Sequence, residues 1–422
     1  MSNTQQQFGE LILTFTSSFN PIWNDKGSGG KFDGAFWQPV APSGFSVLGS
    51  IGVQGYGDVN GKTAALCVKA ASSGGSNPPL AQPTGYSRIW KDSGSGADKD
   101  GSCWRPIAPS GYVALGDVFA QGHDTAPPLS AATCVRADLT HSAISGDFIW
   151  DDKDTGSDQD FGAWMVAAPA NFVDPTLGLI AANTFVGVTS HTAPTTNPVL
   201  NVLMLPFPVI VGQDPPEPTL TSFSAPPAST ASVVDRTVVV PFTAITDPSQ
   251  SVQWKVAHSA FYQLQRTACY DLVIFEHNNT SVSQTKSQAI TVGVSSSESS
   301  TFSASTGISV TAEAGIEFIA DAKVSATVSM ELGFQTSTSV TQLQSTTVTR
   351  SLVIPAQTAA ALWVTSYSLQ AIRADGAEIG QPMAFEVESF VSDQYPPVTS
   401  GQQAKVQVLN FDATKIAAPA PV

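Results

Sequence analysis

The sequence predicts an all-β chain: an N-terminal pseudo-threefold β-prism followed by an elongated β module that carries an amphipathic insertion hairpin. Three observations lead there: a tryptophan-anchored block that occurs three times in the first half, a proline-dense stretch near the middle, and an apolar/polar alternation through residues 302–334. On these signals the 422 residues divide into a prism over 1–212, a Pro-rich linker over 213–229 and a second module over 230–422. That division suits domains of roughly 100–200 residues.

The repeats begin at Ile22-Trp23, Ile89-Trp90 and Ile149-Trp150. In each, an Asp follows the Trp by two (Asp25, Asp92, Asp152), a Gly by six (Gly29, Gly96, Gly156), an Asp by ten (Asp33, Asp100, Asp160) and a second Trp by fourteen (Trp37, Trp104, Trp164). Pro39 to Phe45 and Pro106 to Tyr112 then supply turn residues ahead of apolar β-type runs. A unit of about 60 residues has room for roughly four short strands, and three such sheets can bury their apolar faces against one another. The third copy departs from the others: Asp154 stands where they have Gly27 and Gly94, Val166 replaces Pro39 and Pro106, and Asp174-Pro175 interrupts the Leu-Gly step. Cys67 and Cys134 hold equivalent places and read as buried free thiols. These blocks resemble the β-prism repeats of the plant and fungal vacuolar-sorting-related family over about residues 8–210, a resemblance that implies the fold.

Loops of this kind gather at one end of a prism. Asp25, Asp33, Asp92, Asp100, Asp152 and Asp160 are therefore candidate receptor-binding positions, toward a glycan or a protein, while the repeated tryptophans read as core fillers. Asp152, Asp154, Asp158 and Asp160 alternate oxygen ligands as calcium loops do. The alternative is a Gly-rich turn whose Asp side chains accept backbone N–H bonds. Calcium is the one cofactor the sequence brings into question.

Seven prolines between Pro206 and Pro227 mark a stiff linker. Beyond it Ser and Thr abound, which reads as polar β-strands without helix signals. From Phe302 to Phe334 every even position is apolar except Thr306, and the odd positions are polar or Gly except Ile319. So long a run predicts two arms of about fifteen residues, where a tilted transmembrane strand needs about 9–11. Ile308, Val310, Ala312, Ala314, Ile316, Phe318, Ile319, Ala320, Ala322, Val324, Ala326 and Val328 form the face that would meet lipid, with Ile316, Phe318 and Ile319 as the leading tip. One hairpin leaves its backbone edges unpaired in a bilayer, so copies of the chain must close a barrel as a homo-oligomer on the target membrane. An ordinary soluble hairpin packed on its own core is the alternative.

This arrangement resembles the aerolysin and epsilon-toxin group of β-pore-forming proteins over roughly residues 219–400. The resemblance implies an elongated aerolysin-like domain that oligomerises and then refolds its hairpin. It also implies a lumen lined by Ser309, Thr311, Glu313, Glu317, Asp321, Lys323, Ser325, Thr327, Ser329 and Glu331. Four acids against one base there would favour cations.

Other classes are disfavoured. Net charge is −15 and no Lys/Arg cluster suits nucleic acid. The first residues carry no signal-peptide pattern, so the expectation is a soluble protein, cytosolic at synthesis or released without a signal, that acts at the target-cell membrane. The five His are scattered, neither H-E-x-x-H nor G-x-S-x-G occurs, and Tyr56 spoils the P-loop-like stretch ending at Gly61-Lys62-Thr63. An enzyme is not expected. The leading function is a defence or insecticidal pore-forming toxin; the rival is a non-lytic protein, lectin-like or trafficking-related.

Overall fold

The computed structural model describes the chain apart from residues 1–2, 73–76, 171, 173, 175, 312–314, 319–323, 326–327, 329–331, 334–342, 398–407 and 411–422, and gives 408–410 as backbone. Regular structure among the described residues is nearly all β, as expected, with α-helices at Val252–His258 and Ser296–Thr306.

Each repeat folds into the same antiparallel sheet. The strands are Phe19–Asn24, Gly34–Pro39 and Ile51–Gln54 in the first unit, Gly85–Lys91, Gly101–Ile107 and Val118–Gln121 in the second, and Ile144–Asp151, Gly162–Ala167 and Phe185–Val188 in the third. In all three the register slips at the residue before the first Trp, skipping Ile22, Ile89 and Ile149. An extra residue bends a strand and re-aims the next side chain; here the next side chains are Trp23, Trp90 and Trp150. They meet on the pseudo-threefold axis edge to face, with ring centroids 5.6, 5.3 and 5.7 Å apart, the geometry that aromatic pairs prefer. Phe36, Phe119 and Phe161 complete this cluster. Trp37, Trp104 and Trp164 are buried as well, so all the repeated tryptophans fill core. Cys67 and Cys134 are buried free thiols, and burial pushes them up, to about 12 and about 11 respectively.

Each unit was expected to hold one sheet but holds an inner sheet and short outer strands, such as Ser46–Val47 on Ala65–Ala70 and Tyr112–Val113 on Cys134–Arg136. The turns ending at Gly44 and Gly111, with φ of 79° and 82°, redirect the chain between the two layers. Asp154 takes φ 67°, the left-handed conformation that Gly27 and Gly94 hold in the other copies. Aspartate tolerates that region, so the third loop keeps its shape despite the substitution.

In the second half one antiparallel sheet runs, among the described residues, Val209–Val211, Val233–Pro241, Phe261–Asn278, Thr358–Ile372, Glu378–Tyr395. Its 18-residue strands span on the order of 60 Å, which makes the module elongated. A second sheet pairs Gln284–Val292 with Thr346–Ile354. Because Val209–Val211 pairs with Val233–Pro241, the five-stranded sheet begins ahead of residue 212. The proline-rich stretch is laid along the sheet: Leu220 is buried on Ala359, Ala361 and Trp363, and its N–H donates to Asp393 at 2.7 Å.

The two halves share a core. Phe8 packs on Phe261 and Phe15 on Phe242, with centroids 5.7 and 5.0 Å apart, and one hydrophobic cluster runs from Phe8 to Val387. At its margin Asp247 accepts hydrogen bonds from Tyr262 at 2.6 Å and Ser249 at 2.6 Å, beside Arg373 at 3.3 Å.

Burial raises the Asp247 pKa, but the Ser249 and Tyr262 hydrogen bonds and the Lys255 charge outweigh it and hold the carboxyl below its ordinary value. A depressed carboxylate stabilises above its unfolded pKa, near about 4, and that contribution fades as pH falls through the folded value. Asp247→Asn is expected to lose about 3 kcal/mol at neutral pH. Urea unfolding at neutral pH and in acid checks it: the gap to the wild type narrows in acid.

Candidate functional site

Two places carry the residues singled out in the sequence: the aspartate loops of the prism and the alternating stretch.

The six loop aspartates divide into two sets. Asp25, Asp92 and Asp152 are buried, at 2%, 4% and 4% exposure. Each accepts a backbone N–H across its own loop, from Gly34 at 2.8 Å, Gly101 at 2.9 Å and Phe161 at 2.8 Å. Trp23 Nε1 donates to Asp92 of the next unit at 3.2 Å, and Trp90 Nε1 to Asp152 at 3.1 Å. Trp150 Nε1 closes the circle on the Phe32 carbonyl at 2.9 Å. Asp92 and Asp152 thus bind neighbouring units together while Asp25 bonds within its own loop, and burial leaves all three little surface to offer the receptor expected there. Asp33, Asp100 and Asp160 are exposed.

A residue from each unit's third strand end sits over these loops. Tyr56 donates to Asp33 at 2.9 Å, and burial and that hydrogen bond push its hydroxyl above its ordinary value. His123 hydrogen-bonds Asp92, and His191 hydrogen-bonds Asp152 at 2.8 Å. The His residues that looked scattered in sequence are thus paired here. The signal was available: Tyr56 and His123 each lie nineteen residues past the second Trp of their repeats. Among the described residues, Asp154 and Asp158 do not join Asp152 and Asp160 around one point; His191 does, as His123 does with Asp92 and Asp100. Asp158 instead accepts from Ser93 at 2.7 Å. A set containing imidazole departs from the all-oxygen shell of calcium, and its buried carboxylates already hold N–H donors, so the four-aspartate arrangement is not formed.

Among its described residues the alternating stretch begins with a helix and a short strand pair, where two arms of about fifteen residues were expected. Residues 302–306 end the helix Ser296–Thr306, which Ser295 and Glu298 open with a reciprocal capping box and Gly307, at φ 75°, closes. Phe302 and Thr306 face the core while Ala304 is exposed. A spacing of four fits both the strand period and the helix period, which is why alternation masked this helix. The strands Ile308–Thr311 and Gly315–Phe318 then pair, with Ile308 opposite Phe318 and Val310 opposite Ile316. Thr311 pairs with Gly315, so Ile316 and Phe318 lie on the return arm rather than at a leading tip.

The two-faced character is present over these short arms. Ile308, Val310, Ile316 and Phe318 are all at most 6% exposed, whereas Ser309, Thr311 and Glu317 are half-buried on the other side. The apolar face lies in the core shared with the prism, where Phe318 stacks on Phe207 at 6.2 Å. Val324–Ser325 pairs with Leu179 and Ile180, extending a sheet of the third unit. Ser325, expected on the wet face, is buried there at 6%, and Val324 and Val328 are buried too. The remaining named positions, Ala312, Ala314, Ile319, Ala320, Ala322, Ala326, Glu313, Asp321, Lys323, Thr327, Ser329 and Glu331, lie outside the described residues. No helix among the described residues is long and apolar enough to cross a membrane, which leaves strands unconstrained.

Comparison with known proteins finds separate matches for the two halves of the chain. Residues 1–204 match the family model of vacuolar protein sorting-associated protein 62, and residues 233–381 match that of insecticidal crystal toxin P42. No curated protein matches the chain. Among solved structures, GNIP1Aa from Chromobacterium piscinae is 30% identical over 43% of this chain, with a TM-score of 0.37, and the match spans 34% of that protein. Cry35Ab1 is 11% identical over 93% of this chain and 91% of its own, with a TM-score of 0.33. The chain is thus similar in its first half to a sorting-associated protein and in its second to an insecticidal crystal toxin.

Burial separates the roles of the aspartates experimentally. Asp92→Asn, which disturbs an indole and an imidazole contact in the core, is expected to cost about 1–3 kcal/mol, and Asp160→Asn, on the surface, less than about 0.5 kcal/mol. Chemical unfolding of the two variants checks it.

Proposed function

We propose that this chain is a β-pore-forming toxin of insecticidal type. The prism binds a target-cell surface through a glycan or protein receptor, copies assemble on the membrane, and the region around Ile308–Phe318 refolds into a transmembrane barrel. The observation that carries this reading is a hairpin with one apolar and one polar face whose apolar side is covered in part by another module. Exposing Ile308, Val310, Ile316 and Phe318 to water would cost on the order of 10 kcal/mol together. They leave that core only for another apolar medium, and lipid is one. The match of residues 233–381 to the crystal toxin model supports the toxin reading.

Arms of four residues are too short for a bilayer, which needs about 9–11 per strand. The reading therefore requires the helix Ser296–Thr306 and the chain beyond Phe318 to lengthen the arms, which the sequence pattern allows. Pairing between neighbouring copies satisfies the new strand edges. Ser309, Thr311 and Glu317 then face the lumen with the remaining polar positions, and their acidic excess favours cations.

One observation favours a second reading. Burial of the apolar face is also what a permanent core element shows, and the match of residues 1–204 to a sorting-associated protein suits a non-lytic binding protein.

Cα partners Leu179 and Ser325 allow the two readings to be separated. With Leu179→Cys and Ser325→Cys oxidised to a disulfide, leakage of dye from liposomes of target-cell lipids is expected to stop, and a reductant is expected to restore it. Leakage that survives the cross-link, or none from the wild type, would count against the pore. Reversal potentials across planar bilayers are expected to show cation preference.

A further inference from the structure

The three units of the prism meet at three equivalent joints, and the structure fills them differently. The residue after the second Trp is Gln38 in the first unit, Arg105 in the second and Met165 in the third. At the second joint Arg105 pairs with buried Asp117 at 3.0 and 2.8 Å and reaches across to the Gly187 carbonyl of the third unit at 2.7 Å. At the third joint Gln54 Nε2 donates to the Phe148 carbonyl at 2.9 Å, and a depression of about 550 Å³ edged by Asp147 remains.

The first joint is the open one. Ser50 stands where Asp117 stands, its hydroxyl donates to Gln38 Oε1 at 2.8 Å, and Gln38 Nε2 turns to the Ala131 carbonyl at 2.9 Å. The shorter side chains leave a cleft of about 870 Å³ between the first and second units. Small-molecule sites occupy about 300–1,000 Å³.

The wall of this cleft has no charged residue, although the chain carries a net charge of −15. Its polar side chains are the amides of Asn20, Gln38, Gln82 and Gln121 and the hydroxyls of Ser46, Thr125, Ser130 and Thr133, and the remainder is largely proline, aliphatic and Phe45 and Phe119 surface. Among the described residues Gln38 alone of these side chains is held by hydrogen bonds within the chain, to Ser50 and the Ala131 carbonyl. Thr133 lines the cleft and is 7% exposed. A hydroxyl that loses water when a ligand enters needs a hydrogen bond in exchange, which the ligand has to supply.

Amides and hydroxyls both donate and accept, and together with apolar walls they match a ring that alternates hydroxyl groups with C–H faces. A phosphate or carboxylate would meet no cation there. We propose that the cleft at the first joint binds an uncharged sugar, as the end of a neutral glycan. This rests on the reading of the prism as the surface-binding half, and it places recognition on a wall that none of the loop aspartates lines.

The test uses the full chain on an array of neutral and sialylated glycans. Gln38→Arg with Ser50→Asp transplants into the first joint a pair the fold already holds in the second. Wild type is expected to bind neutral glycans, the double variant to lose at least about tenfold, and Thr133→Val, which keeps the volume, to lose about three- to tenfold. Asp33→Asn, Asp100→Asn and Asp160→Asn are expected to bind as wild type. Thermal unfolding accompanies each variant, and Thr133→Val decides the matter if the double variant does not fold. No neutral glycan bound, a preference for sialylated ones, or wild-type binding by a folded double variant would overturn the proposal. Leakage from glycan-free liposomes at high protein concentration reports separately on the pore. Leakage without glycan binding removes the sugar site alone, whereas cleft-dependent binding without leakage keeps the site and removes the pore.

Discussion

An apolar face has to lie against something, and in this chain the face of the short hairpin lies in a core that belongs to both halves. Phe318 on Phe207, and Val324–Ser325 along Leu179–Ile180, tie the second module to the third prism unit. The prism is therefore both a body of its own and a cover. That arrangement couples two events which sequence would treat as separate, the docking of the first half and the exposure of the hairpin. Any movement that parts the modules uncovers apolar surface at once.

The prism was legible because its signal is redundant. A tryptophan spaced by fourteen residues from another, three times over, defines three units whatever each strand does, and the inner sheets repeat their order accordingly. What the repeat concealed is the division of labour among its aspartates. Asp25 and Asp33 look alike on paper; one is buried against Gly34 N–H and the other exposed beneath Tyr56. In the second and third units the inward acid also meets the tryptophan of the neighbouring unit, a contact across more than sixty residues for both Asp92 and Asp152. The joint chemistry was equally hidden, since Gln38, Arg105 and Met165 acquire meaning only once the units are placed side by side.

The second half was legible as β and misleading in detail. Alternation at every second residue is a strand signal, but Phe302 and Thr306 satisfy it from one face of a helix. The capping pair Ser295 and Glu298 and the terminator Gly307 were written in the sequence and outvoted by the longer pattern. Proline density reads as irregular chain, yet the stretch holds the strand Val209–Val211, and Leu220 shows that its irregular part can still be bound down along a sheet.

The skipped residues Ile22, Ile89 and Ile149 have a further consequence. Side chains on a strand alternate between its two faces, so removing any one of these isoleucines would remove the slip beside it and at the same time rotate its tryptophan out of the centre. The axis is thus maintained by a flaw kept in triplicate. A shape this regular tolerates changes in loop length far more readily than the deletion of a single ordinary aliphatic residue.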